Sequence, residues 1–297
     1  MSITLPDGIT AIALADDYPA LQIETADCSA TLALNGAHLT HWQPSHTDRP
    51  VIYLSPTAIL QQGKAIRGGV PLCWPWFNAH PTDPGSHPSH GVARIERWDL
   101  VSATVEDGSA IIELELKASP GIEAHVPFPF QLKALFNLGQ TCSIVLETTN
   151  LAKENIAVGG ALHSYFSLSH IDNATVTGLQ HTPYLDTAAR PEKSAVQTEG
   201  ELRFQAETDR IYYGSDLPAR IHDAEWKRSI VVEKAGSLTS VVWNPWIEKA
   251  ASLGDLPDAD YQRFLCIEAA NARHDTRILA PGSTHRLETR FIVENLS

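Results

Sequence analysis

Trp98 to Leu116 reads WDLVSATVEDGSAIIELEL, and this stretch decides the fold. Ala110, Ile112, Leu114 and Leu116 alternate with Ile111, Glu113, Glu115 and Lys117, a period of two that suits a half-buried strand. Asp107-Gly108 stands just before them. That dipeptide supplies the positive-φ residues of a tight hairpin turn, with Trp98 to Val105 as partner strand. The pattern continues outward. Phe130, Leu132, Ala134, Phe136 and Leu138 share one face of the next run. After a turn at Gly139-Gln140, Cys142, Ile144, Leu146 and Thr148 repeat it. Near the C-terminus, His285, Leu287, Thr289, Phe291 and Val293 oppose Thr284, Arg286, Glu288 and Arg290. Ser229 to Glu233, Leu238 to Trp243 and Phe264 to Ile267 read as further strands. Helical periodicity is scarce, with Ile247 to Leu253 the best candidate. The expected class is all-β: an antiparallel β-sandwich with few short helices. No repeat, low-complexity tract or linker divides the chain. Arg190 to Gly200 is polar and reads as a surface loop, so residues 1–297 are expected to form a single sandwich domain.

The chain has 297 residues, enough to bury a large core without disulfides or metals. Its formal net charge is −13, which argues against nucleic-acid or anionic-membrane partners, since both want a basic surface. Cys28, Cys73, Cys142 and Cys266 are widely separated and form no CxxC pair; buried free thiols in a reducing cytoplasm are expected. The opening MSITLPDGITAIALADD has neither a basic n-region nor an apolar h-region, and no run approaches a membrane span. Nothing in the sequence demands an oligomer, and a monomer is expected.

Against this acidic background, Ile66 to Arg94 reads IRGGVPLCWPWFNAHPTDPGSHPSHGVAR. Its prolines and glycines block regular structure, so it is mostly shaped loop. Arginine forks, imidazoles and aromatic faces are what a protein needs to hold a small, anionic, polyhydroxylated molecule. Arg67 and Arg94 bracket the loop. They are either surface ion pairs, which contribute little, or a clamp for an anion. His80, His87 and His90 fit no zinc spacing, and shaping the loop or touching a sugar is preferred for them. Trp74, Trp76, Trp243 and Trp246 are core candidates, although Trp243 and Trp246 end a strand where a ring can stack on a sugar.

Two titratable residues sit in apolar settings. In GGALHSYFSLS, strand parity places His163 with Ala161, Tyr165 and Ser167. It is either a hydrogen-bonded sheet histidine or an acid–base group working near neutrality. In FLCIE, parity groups Glu268 with Phe264 and Cys266. Such a carboxylate is either a strand end turning to solvent or a buried group with a useful, raised pKa. Walker, GxGxxG, GxSxG and HExxH motifs are absent, which removes support for nucleotide binding, serine hydrolysis and zinc proteolysis.

The ordered set IRGGVPLCWPWF, HGVAR, ALHSYFSL, TDRIY, VVWNPW and FLCIE resembles the glucose-6-phosphate 1-epimerase (hexose-6-phosphate mutarotase) branch of the aldose 1-epimerase superfamily. The resemblance implies a galactose-mutarotase-like sandwich with its site on the concave face of the larger sheet. It implies Glu268 as general base and His163, protonated, as general acid. Arg67 and Arg94 would hold a substrate phosphate, Asp209 would contact sugar hydroxyls, and His90 would line the pocket. No cofactor or metal is implied, and the partner is a small sugar phosphate. Two positions depart from the family: Ser89 replaces a glutamine common before HG, and Ala269-Ala270 replaces Pro-Gly, which is expected to alter the loop beyond the base. An epimerase of free aldoses, a non-catalytic carbohydrate-binding protein, and a glycoside hydrolase pairing Glu268 with Asp209 remain alternatives at this point.

Overall fold

The computed structural model describes residues 3–296. Met1 and Ser2, which open the N-terminal stretch read above, and Ser297 lie outside it. The architecture is two eight-stranded antiparallel sheets packed face to face, with a four-stranded N-terminal sheet (Ile9–Ala13, Pro19–Glu24, Cys28–Ala33, His38–Pro44) and a small two-stranded one. The hairpin that announced the fold is present. Asp99–Glu106 pairs with Ser109–Leu116 around Asp107 (φ 48°) and Gly108 (φ 82°). Phe130–Leu138, Thr141–Asn150 and Thr284–Asn295 follow in the same sheet, each with the expected apolar face inward.

The second large sheet carries the cleft. Its strands run in the order Lys193–Val196, Pro183–Asp186, Thr208–Tyr213, Thr239–Asn244, Phe264–Asn271, Gly160–Leu162 and Leu72–Cys73, with Tyr165–Ser167 also pairing onto Phe264–Asn271. One face packs on the partner sheet: Leu162, Phe166, Val242, Leu265 and Ile267 meet Leu132, Phe136, Ile144, Leu146 and Phe291 in one core. The Phe166 and Phe291 rings meet edge to face at 4.9 Å. Each such buried side chain contributes about 1.5–3 kcal/mol of hydrophobic stabilisation. The opposite face is lined by two smaller clusters around Tyr165, Trp243 and Cys266 and around Cys73, Ala161 and Val241.

Four expectations need correction. The cleft sheet is not the larger one, because both have eight strands. Arg190 to Gly200 is not wholly loop; Lys193–Val196 is an edge strand, and its polarity reflects one solvent-facing edge, where charge discourages further pairing. The strand expected through His163 is split into Gly160–Leu162 and Tyr165–Ser167, with His163 and Ser164 between them. The strand at FLCIE does not end at Glu268 but runs on to Asn271. The helix candidate forms as Trp246–Ala251. All four cysteines are buried free thiols. No helix among the described residues is long and apolar enough to cross a membrane.

Candidate active site

Register, more than composition, builds the site. Leu162 pairs with Ala269 and Tyr165 with Cys266. The two pairings share one continuous antiparallel register, so His163, in the gap between them, stands directly across from Glu268. Side chains of directly opposed residues on one face are neighbours. On its other edge Glu268 pairs with Val241, and Cys266 with Trp243, which in turn pairs with Asp209. The outer face therefore carries two adjacent cross-strand rows: Ile211, Val241, Glu268 and His163 in one, and Asp209, Trp243, Cys266 and Tyr165 in the other. The parity read from the sequence survives the strand break, because the register does not change across it.

His163 Nε2 lies 3.4 Å from Glu268 Oε1. The glutamate is 1 % exposed and the histidine 8 %, so neither turns to bulk water. Aromatic rings enclose the imidazole: Tyr165 stacks on it at 5.0 Å and Trp243 meets it edge-on at 5.9 Å. Burial, reinforced by the charge of Asp209 and opposed by Arg94, raises the Glu268 pKa well above the carboxylate range. Burial together with Arg94 and Arg67 lowers the His163 pKa to about 3. Both shifts favour the neutral forms, a carboxyl on Glu268 and an uncharged imidazole on His163. Among the described residues, Glu268 Oε2 and His163 Nδ1 have no hydrogen-bond partner.

The 66–94 segment folds over this pair. His163 N–H donates to Pro71 O and Tyr165 N–H to Gly69 O, which lays the Arg67-Gly68-Gly69 turn against the histidine segment. Gly69 has φ 67°, and a Cβ there would sit 2.2 Å from the His38 imidazole, so only glycine fits. Arg67 is thereby delivered to Tyr165, whose hydroxyl accepts from Nη1 at 3.1 Å, while Nε donates to Asp255 at 3.1 Å. Further along, Asn78 (φ 60°) and His90 (φ 62°) are cross-linked: His90 N–H donates to Asn78 O at 2.7 Å, and Asn78 N–H to His90 Nδ1 at 3.3 Å. Burial first, then Arg94, His163 and Arg67, lowers the His90 pKa well below the usual imidazole value. Its Nδ1 accepts, so Nε2 carries the proton. Arg94 donates from Nη2 to Ser89 O at 2.8 Å and has no carboxylate partner among the described residues.

Arg67, Asn78, Ser89, His90, Arg94, His163, Tyr165, Asp209, Trp243, Lys249 and Glu268 line one cleft of about 250 Å³. Ligand pockets commonly span about 300–1,000 Å³, so this one suits a single small molecule rather than a polymer. All six residues singled out from the sequence are in it. The other two histidines of the loop are not. His80 stacks on His87 at 4.1 Å beside Trp76, and His87 Nδ1 is 3.0 Å from His125 Nδ1, so these rings shape the loop and do not converge as ligands.

A profile of the aldose 1-epimerase family matches residues 19–291. The chain belongs to the aldose 1-epimerase family. This is an isomerase-class enzyme family. A Salmonella typhimurium relative, named "Putative glucose-6-phosphate 1-epimerase", is 37 % identical over 86 % of this chain and 84 % of its own. A Salmonella typhimurium crystal structure described as a "putative mutarotase" superposes with a TM-score of 0.91 at 33 % identity, covering 99 % of this chain and 96 % of the other. A galactose mutarotase-like protein from Clostridium acetobutylicum shares the fold at TM-score 0.76 and 14 % identity, over 97 % and 98 % of the two chains.

Within this family the two departures can now be placed. Ser89 lines the cleft, and its carbonyl, not its side chain, holds Arg94. Ala269-Ala270 alters no loop, because both residues are in the strand; Ala270 packs against Cys73, Ala161 and Val241. Sequence reasoning missed Tyr165, Asn78, Lys249 and Asp255 as site residues. Tyr165 was legible, since parity had already put it beside His163. Asp255 was not, because it reaches Arg67 across 188 residues of chain.

Proposed function

We propose that the chain interconverts the α and β anomers of a hexose 6-phosphate, glucose 6-phosphate in the first instance. The observation that carries this reading is the buried Glu268–His163 pair, 3.4 Å apart at a cleft that also holds two arginines. Anomerisation opens a cyclic hemiacetal. A base takes the O1 proton, C1=O1 forms, the C1–O5 bond breaks, and an acid protonates O5. Both oxygens are bonded to the same carbon, so the acid and base that serve them must also be close neighbours. A glycosidase needs its two carboxyl groups about 5 Å or more apart. Only protons move, so the chemistry requires no metal or organic cofactor.

The carboxyl/imidazole pair at rest and the carboxylate/imidazolium pair that attacks O1 contain the same number of protons. They differ by one transfer across the gap. The positive charge of Arg94 and Arg67 holds the imidazolium form down. A bound phosphate dianion neutralises that charge and so eases protonation of His163 as the acid. The phosphate is then a handle remote from C1 whose binding energy orients the reacting end. Arg94, without a carboxylate partner, is the principal phosphate ligand, and Arg67 the second. Asp209 and His90 Nε2–H take sugar hydroxyls, and the Trp243 ring supports the apolar face of the sugar. After rotation about C1–C2 the acid and base exchange roles and the ring closes on the other face.

The test is NMR exchange spectroscopy on α- and β-glucose 6-phosphate, with free glucose in a parallel tube. Faster exchange of the phosphate sugar alone is the expected result. Equal acceleration of both sugars identifies an epimerase of free aldoses, and binding without exchange identifies a carbohydrate-binding protein.

A further inference from the structure

Lys249 was not expected in the cleft. It stands on Trp246–Ala251, the short helix that opens the excursion between the strands Thr239–Asn244 and Phe264–Asn271. The buried Asn244 fixes both ends of that excursion. Its Oδ1 accepts from Trp246 N–H at 3.0 Å, and its Nδ2 donates to Tyr261 O and Phe264 O at 2.8 and 2.9 Å. Trp246 itself takes the left-handed conformation, φ 57°, which turns the helix over the cleft. The result places the Lys249 ammonium 2.8 Å from Glu207 Oε1 and 4.0 Å from Asp209 Oδ2.

We propose that Lys249 is a positioning residue for the sugar-binding wall: anchored on Glu207, its ammonium holds the Asp209 carboxylate in place to accept pyranose hydroxyls. The inference rests on reading the cleft as a hexose site. Asp209 is largely buried and lies near the carboxylates of Glu207 and Asp186. Lys249 is the nearby cation that offsets them. Burial raises the Asp209 pKa, and the Thr187 hydroxyl and the charge of Lys249 act in the opposite direction. The ammonium is a poor candidate for phosphate binding because two carboxylates already engage it, whereas Arg94, among the described residues, has a backbone carbonyl as its partner and no carboxylate. Lys249 therefore governs recognition of the ring, and the arginines recognition of the phosphate.

The experiment compares wild type, Lys249→Met, Lys249→Arg and Glu207→Gln by exchange NMR on glucose 6-phosphate, from pH 5 to 8. Inhibition by 1,5-anhydroglucitol, a pyranose without phosphate, is measured alongside. A hydrogen bond to a charged group supports an expected rise in KM of about tenfold or more for Lys249→Met. The inhibition constant rises in parallel and kcat changes little. The acid limb of kcat/KM moves to higher pH, because Asp209 without its cation protonates more readily. Lys249→Arg restores both properties, and Glu207→Gln raises KM by a smaller factor without the upward shift of the acid limb, because it also removes a carboxylate that raises the Asp209 pKa. Unchanged KM and acid limb in Lys249→Met overturn the proposal. So does a raised KM with unchanged anhydroglucitol inhibition, which makes Lys249 a phosphate ligand. Wild type without exchange overturns the hexose-phosphate reading and this proposal with it, an outcome visible before any variant is compared.

Discussion

Leu265 and Ile267 leave their strand on one side, Cys266 and Glu268 on the other, and none of the four is more than 1 % exposed. Burial is the same on both faces, but its consequence differs. Toward the partner sheet it removes apolar surface from water and stabilises the fold. Toward the cleft it removes water from a carboxyl and an imidazole, which moves their pKa values toward each other and past. Dryness is structural on one face and chemical on the other. The faces differ in what they bury, because the backbone is shared.

The largest effect that can break this comparison is on turnover. Glu268→Gln and His163→Ala are each expected to lower kcat by about 10²–10⁴-fold, the usual contribution of a positioned acid or base, with no loss of thermal stability. Near-normal turnover in either variant reduces the cleft face to a second packing face. Ile267→Ala, one residue away, is expected to do the reverse. It costs about 2–5 kcal/mol of stability, read from a urea midpoint, and leaves kcat near wild type where the protein is folded. A fall in kcat matching that of Glu268→Gln shows that the two faces cannot be separated.

The arginines sharpen the picture within the cleft. Arg94→Ala is expected to lower kcat/KM for glucose 6-phosphate by roughly 10–100-fold, the worth of a charge-assisted hydrogen bond, and to spare free glucose. Arg67→Ala is expected to be less selective, because it also releases Tyr165 and Asp255. Equal losses on both sugars remove the phosphate clamp.

The smallest effect concerns pH. The folded-state pKa of Glu268 is raised, so the folded chain keeps a proton that the unfolded chain releases above its ordinary value of 4.5. The stability this gives is complete below pH 4.5 and is lost as pH rises toward the folded pKa. Glu268→Gln removes the dependence. Its stability relative to wild type is expected to grow above pH 4.5, by at most about 1.4 kcal/mol per pH unit. A constant difference from pH 4.5 to 8 contradicts the raised pKa.

The sheets were legible because their signals are local. Asp107-Gly108 and the alternation on both sides of it need no knowledge of the rest of the chain. Lys193–Val196 was lost for a complementary reason: an edge strand is polar, and composition alone does not distinguish it from a loop. His163 and Glu268 were legible as an unusual pair of residues in apolar runs, and the family resemblance gave them roles. What could not be read was that they face each other, since that depends on the register of strands 100 residues apart. The direction of the pKa shifts could not be read for the same reason. The field of Arg94 and Arg67 on His163 exists only once the 66–94 loop is laid across it. Lys249 and Asp255 belong to an excursion whose sequence, WIEKAASLGDLPDADYQ, reads as an ordinary surface helix and turn.

The unbroken register on both edges of Phe264–Asn271 has a consequence for how this protein can change. A strand with a period of two behaves like a reading frame. One residue inserted before Glu268 would present Ile267 to the sugar and drive the carboxylate between the sheets, inverting every position downstream. Substitutions alter one letter of this frame; a change of length rewrites it. The strand's residue count is thus a stricter constraint than most of its side chains, and the neighbouring excursion, seated by Ala250 and Leu256 against Tyr53, Tyr165 and Trp243, is held to length in its own way.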